Sequence, residues 1–102
     1  MTLSGRGRRA KGVRGEHEVR KLFEEHGFDV RGLEGLGDHY ASRGRIRLHL
    51  ETKRQERLRI PEWMHQAERE APGGTTPVLV YRRNQDGWHV VLDLDDFFDL
   101  IV

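Results

Sequence analysis

The chain contains no cysteine. Disulfides, thiolate zinc sites and cysteine nucleophiles are therefore excluded. No run approaches the ~18 apolar residues that a membrane-spanning helix needs, and no charged-then-apolar signal segment opens the chain. A cytoplasmic protein is the expectation. The histidines, at positions 17, 26, 39, 49, 65 and 89, form no His-x-x-x-His pair, which argues against a zinc site. GRG and GLG are too short to be phosphate loops, and no Ser/His/Asp arrangement is recognisable.

At 102 residues the chain is one domain by length. It can bury a modest core, and a domain of this size is often helped by a partner subunit. Charged residues make up 34% and hydrophobic ones 35%, which is polar for a globular domain, yet three apolar segments remain and disorder is not indicated. The net charge of +1 conceals segregation. Residues 1–14 carry Arg6, Arg8, Arg9, Lys11 and Arg14 with no acid. Residues 43–59 carry Arg43, Arg45, Arg47, Lys53, Arg54, Arg57 and Arg59 against only Glu51 and Glu56. Residues 86–102 carry five aspartates and no Lys or Arg. Basic segments set apart in this way are the electrostatic footprint of polyanion binding. A merely solvated surface is the plainer reading.

Residues 1–10 are Gly/Arg-rich and read as a flexible basic arm, with residues 11–102 as the domain. Lys11 to His26 is helical, with Val19, Leu22 and Phe23 on one face. Gly27 stands where a helix C-terminal glycine belongs. FDVRGL (28–33) reads as a strand, EGLGD (34–38) as a turn, HYASRG (39–44) as a second strand and RIRLHLETK (45–53) as a third. Pro61 opens a second helix that stops before Pro72. PVLVYRR (77–83) has the apolar run of a buried interior strand. NQDG is a hairpin signal leading to WHVVLDL, and DDFFDLIV is a C-terminal helix or tail with Asp93 or Asp95 as its cap. The order α-β-β-β-α-β-β-α predicts a single α/β domain with a mixed central sheet flanked by helices.

In RIRLHLETK, side chains two apart point the same way, so Glu51 and Lys53 emerge together with His49 and Arg47 behind them. Glu-x-Lys alone is a weak signal, because many solvated strands carry such an ion pair. Asp38 strengthens it. If residues 39–50 form a hairpin, Asp38 approaches Glu51, and two carboxylates held together call for a cation. Mg²⁺ takes oxygen ligands, often one or two carboxylates, and keeps several waters. Lys53 adds positive charge where a phosphate would come. Glu16 lies near the Val19/Phe23 side of its helix, at 100° per residue, and leans toward the sheet. It also suits the positive end of the helix dipole.

GVRGEHEVRKLFEEHGFDVR, then GD, then HLETK, resembles the PD-(D/E)XK nuclease superfamily, and within it the small Holliday junction resolvases of archaea and phages. The matching residues are Lys11-Gly12, Glu16, Gly27-Phe28-Asp29-Val30-Arg31, Asp38 and Glu51-Thr52-Lys53. The resemblance is close over residues 11–54 and looser through PVLVYRR and WHVV. Glycine replaces the proline that names the superfamily before Asp38, and His17 follows Glu16 where the resolvases have arginine.

The resemblance implies a restriction-endonuclease-like domain and Mg²⁺-dependent (or Mn²⁺-dependent) hydrolysis of DNA, with symmetric cuts in a four-way junction. Asp38 and Glu51 would bind the metal, with the carbonyl of Thr52, and Glu16 directly or through water. Lys53 would orient the attacking water or stabilise phosphoryl charge. Arg6, Arg8, Arg9, Lys11, Arg14, Arg31, Arg43, Arg54, Arg57 and Arg59 would hold phosphates, and Gln66 is a further DNA or active-site contact. The resemblance also implies a homodimer in a prokaryotic or phage-infected cell, acting in recombination or repair. Alternatives are a superfamily nuclease acting on nicks, flaps or single strands, and a non-catalytic DNA-binding module.

Overall fold

A computed structural model describes the backbone of residues 5–32 and 38–102 and the side chains of residues 12–32 and 38–102. The turn expected at 34–38 lies, except for Asp38, outside the described residues. The elements run α1 (Gly5–Glu25), β1 (Asp29–Arg31), β2 (Asp38–Arg43), β3 (Ile46–Arg54), α2 (Ile60–Glu70), β4 (Thr76–Arg82), β5 (His89–Val91) and α3 (Leu94–Ile101). This is the expected α-β-β-β-α-β-β-α order. Two boundaries differ most from the sequence reading. α1 opens at Gly5 rather than Lys11, so residues 5–10 of the stretch read as an arm continue the helix backbone. β5 is only three residues, because Leu92 and the aspartates after it leave the sheet to start α3. Asp93 holds the N-cap position of α3 without a side-chain cap bond.

α1 ends as its sequence dictates. Gly27 has φ +85°, the left-handed conformation that glycine adopts without a Cβ penalty. The Phe28 amide donates to the Phe23 carbonyl (3.0 Å) and the Gly27 amide to that of Glu24 (3.1 Å). The Phe23 and Phe28 rings meet edge to face at 5.1 Å, the apolar contact that accompanies such a C-terminal motif. That motif turns the chain directly into β1.

The sheet order is β1-β2-β3-β4-β5, antiparallel except for the parallel β3–β4 pair. Gly44, with φ +57°, takes the first place of the two-residue β2–β3 turn, where a type II′ turn requires positive φ. α2 is the crossover between the parallel strands, with Pro61 in its first turn. α1 covers one face: Val19 packs with Val30, Ala41, Leu48, Leu50, Val78 and Val80. α2 covers the other, where Trp63 and Met64 pack on Leu79 with Leu58, Ile60, Tyr81 and Val91 around them. Glu18 fastens α1 to the far end of the sheet. It accepts hydrogen bonds from Arg54 (2.7 Å), Arg82 (3.3 Å) and the Trp88 indole (3.1 Å).

β3 is therefore buried on both sides from Leu48 to Thr52. Strands in that position normally read as continuous apolar runs, as β4 does. β3 instead keeps His49 and Glu51 under α2. Among the described residues, no helix is long and apolar enough to cross a membrane.

Two glycine substitutions test this account of α1. Gly12 lies inside the helix, and a Cβ there would meet nothing within 4 Å. Gly12→Ala should stabilise by up to ~1 kcal/mol, whereas Gly27→Ala should destabilise by about 1–2 kcal/mol, read from urea unfolding midpoints. Equal effects of the same sign would contradict the assigned C-terminal motif.

Candidate active site

β2 and β3 pair so that Asp38 stands directly opposite Glu51 and Tyr40 opposite His49. Residues paired across a ladder share a face, so Asp38, His49, Glu51 and Lys53 all rise on the α2 side. Glu51 is 1% exposed. While Glu51 is ionised, neither of its carboxylate oxygens has a hydrogen-bond donor. The nearest counter-charge is Lys53, whose Nζ is 3.6 Å from Glu51 Oε1 and whose side chain is 20% exposed. Burial is the main reason that the Glu51 carboxyl is pushed up from 4.5 to about 8. Lys53 opposes the rise. Glu70 adds to it, as hydrogen-bond partner of the protonated form and as a negative charge, and Asp38 adds its charge last. Two ionised carboxylates cannot donate to each other, so the Glu51–Glu70 bond exists only when one of them is protonated.

Asp38, His49 and Glu70 each offer a ligand atom, and these atoms all lie within 4.8 Å of one another. His49 is buried and its Nε2 lacks a hydrogen-bond partner. Asp38 is half-buried and Glu70 exposed, so the group opens to solvent. A divalent cation fits this donor set of two carboxylates and an imidazole, and it would neutralise carboxylates that otherwise repel.

The hairpin thus brings together Asp38, Glu51, Thr52 and Lys53. Thr52 keeps its side chain on the opposite, α1 face, buried beside Leu50. Glu16 is also nearly fully buried, one turn from Val19 and so on the α1 side of the sheet. It is not in the group of mutually close ligand atoms found among the described residues. Gln66 joins the site indirectly, with Nε2 donating to Glu70 Oε1 at 3.2 Å.

Glu70 was not anticipated from the sequence. It lies three residues after Ala67 and seven after Trp63, on the helix stripe that faces the sheet, and that spacing is the signal for it. In the sequence His49 stands out only as a neighbour of Glu51.

The arginines divide. Arg14, Arg31, Arg43, Arg57 and Arg59 are exposed; Arg31 pairs with Asp29 at 3.3 Å, and Arg57 and Arg59 lie in the link that follows β3. Arg54 turns inward to Glu18, with its side chain 18% exposed. The side chains of Arg6, Arg8, Arg9 and Lys11 lie outside the described residues.

The chain matches no family model and no curated protein. Among solved structures it is similar to a Holliday junction resolvase from the archaeal hyperthermophile Archaeoglobus fulgidus. The TM-score is 0.66 over 80% of this chain and 72% of that one, at 23% sequence identity. This chain shares that resolvase's fold. The likeness bears out the fold expected from GVRGEHEVRKLFEEHGFDVR and HLETK.

The buried carboxyl sets a pH dependence for the metal-free protein. Above the ordinary carboxyl value the unfolded chain has lost the proton that folded Glu51 still holds. Stability should therefore fall as pH rises from about 4.5 to about 8, by up to ~1.4 kcal/mol per pH unit. Urea unfolding in EDTA across that range measures it. A Glu51→Gln variant should lose this component, and a wild-type profile that matched the variant's would contradict the assignment.

Proposed function

We propose that the protein is a metal-dependent endonuclease that resolves four-way DNA junctions. The observation that carries this reading is Glu51, buried without a hydrogen-bond donor, opposite Asp38 and beside Lys53, on the fold that the archaeal resolvase also has. A structural role does not call for a bare carboxylate there, since a leucine would pack better under α2. A cation site does.

Asp38 and Glu51 would hold the cation, with the Thr52 carbonyl between Glu51 and Lys53. A divalent cation bound there polarises a scissile phosphate and makes a hydroxide-like nucleophile available near neutral pH. Lys53, anchored at Glu51 and partly exposed, places its ammonium where charge develops on the phosphoryl oxygens. The exposed Arg14, Arg31, Arg43, Arg57 and Arg59, with Arg6, Arg8, Arg9 and Lys11 on α1, would position the DNA through its phosphates. Such contacts carry no sequence information, which suits an enzyme that reads branch shape.

A four-way junction needs two symmetric cuts, and so a twofold dimer. In support, α3 exposes Leu94, Phe97, Phe98 and Ile101, and β5 exposes Val90, an apolar surface suited to a second copy.

The test is a denaturing-gel assay on an immobile four-way junction and a linear duplex of the same arms, with Mg²⁺, Mn²⁺ or EDTA. Paired symmetric nicks in the junction alone are expected. Asp38→Asn and Glu51→Gln should abolish them while junction binding persists, and Lys53→Ala should slow them by about 10²–10³-fold. Cutting of both substrates would assign a nuclease of another specificity. Tight binding with no cutting would make the protein a DNA-binding module.

A further inference from the structure

His49 and Glu70 have no part in the reading above, yet each offers a ligand atom close to that of Asp38. His49 lies two residues before Glu51 on the same face of β3, 4% exposed, with Nε2 unpartnered. Burying a ring nitrogen with no partner costs free energy, and no apolar role requires a histidine there. Glu70 comes from the last turn of α2, a different element. Gln66 holds its Oε1 at 3.2 Å, which leaves Oε2 for another partner. The ligand atoms of Asp38, His49 and Glu70 lie within 4.8 Å of one another. Ligands of one octahedral ion bonded at about 2.1 Å lie about 3 Å apart when adjacent and about 4.2 Å apart when opposite, so the three atoms need draw in by at most about 2 Å.

We propose that His49 and Glu70 are metal ligands alongside Asp38, and that this nitrogen donor makes the site select a divalent first-row transition ion over Mg²⁺. Magnesium is a hard ion bound by carboxylates, phosphates and water. Imidazole suits the later first-row ions, whose affinity for nitrogen donors rises along the series. Glu70 supplies a second carboxylate, so an ion there is tied to β2, β3 and α2 together. Gln66 is then a positioning residue, fixing the Glu70 carboxylate as outer-shell hydrogen bonds commonly fix ligands.

This inference rests on the proposed reading only in taking the Asp38–Glu51 end of the sheet as the cation's place. The full chain is titrated calorimetrically with Co²⁺ and with Mg²⁺, as wild type, His49→Gln, Glu70→Gln and Glu51→Gln. Wild type should bind Co²⁺ more tightly than Mg²⁺. His49→Gln should weaken Co²⁺ by at least about tenfold and leave Mg²⁺ within about twofold, whereas Glu70→Gln should weaken both. Electron spin-echo measurement on wild type with bound Mn²⁺ should show coupling to ¹⁴N, a readout that needs no variant to fold. An absent ¹⁴N coupling, or Co²⁺ binding unchanged in His49→Gln, overturns the inference. If Glu51→Gln still loses Mg²⁺ in that case, the proposed nuclease site stands without it. If wild type binds neither ion, both ideas lose their cation.

Discussion

Glu51 occupies the middle strand of the sheet, covered by α2, and neither of its oxygens meets a donor. Desolvating a carboxylate without hydrogen bonds is among the more costly arrangements a fold can contain. Lys53 at 3.6 Å offsets part of that cost, while Glu70 and Asp38 work against it. The molecule tolerates the arrangement because the rest of β3 and β4 is well buried. Leu48 and Leu50 pack against Val19 and Val80 on one side, and Leu79 against Trp63 and Met64 on the other. The surrounding elements can be read as a frame that holds one uncomfortable side chain in place.

The frame is tied at defined points. The Gly27 turn delivers β1 to the edge of β2, and the Gly44 turn fixes the register that puts Asp38 opposite Glu51. A slip of one residue in that hairpin would turn Asp38 to the face opposite Glu51. Glu18 joins α1 to β3, β4 and Trp88 through two arginines and an indole. Arg45 donates to the carbonyls of Asp99, Leu100 and Val102, securing the end of α3 with a cation where the helix dipole favours one.

Much of this was legible in the sequence. The alternation of RIRLHLETK marks a strand, Gly44 marks the turn before it, and together they put Asp38 near Glu51. Gly27 marks the end of α1 because only glycine takes that conformation cheaply. What was not legible depended on the packing of distant elements. Alternating polar residues do not reveal whether the polar face meets water or a helix, so the burial of Glu51 and His49 could not be read. Glu70 is nineteen positions from Glu51 in the chain, and only the placement of α2 brings it to the group. Arg54 follows Lys53 in a basic segment and reads as a phosphate contact, yet its side chain turns to the α1 face and meets Glu18. Glu16 shares its helix face with Val19, and that face packs on the side of the sheet away from Asp38 and Glu51.

A site of this kind trades stability for chemistry. The carboxylate that makes a cation welcome is also the group that the metal-free fold least needs. The most direct test is to compare unfolding of wild type and Glu51→Gln at pH 8.5, each with EDTA and with a saturating divalent ion. The account predicts that the variant is the more stable protein in EDTA and that the metal stabilises only wild type. A variant less stable in EDTA, or stabilised by the metal as much as wild type, would contradict it and leave Glu51 an ordinary structural partner of Lys53.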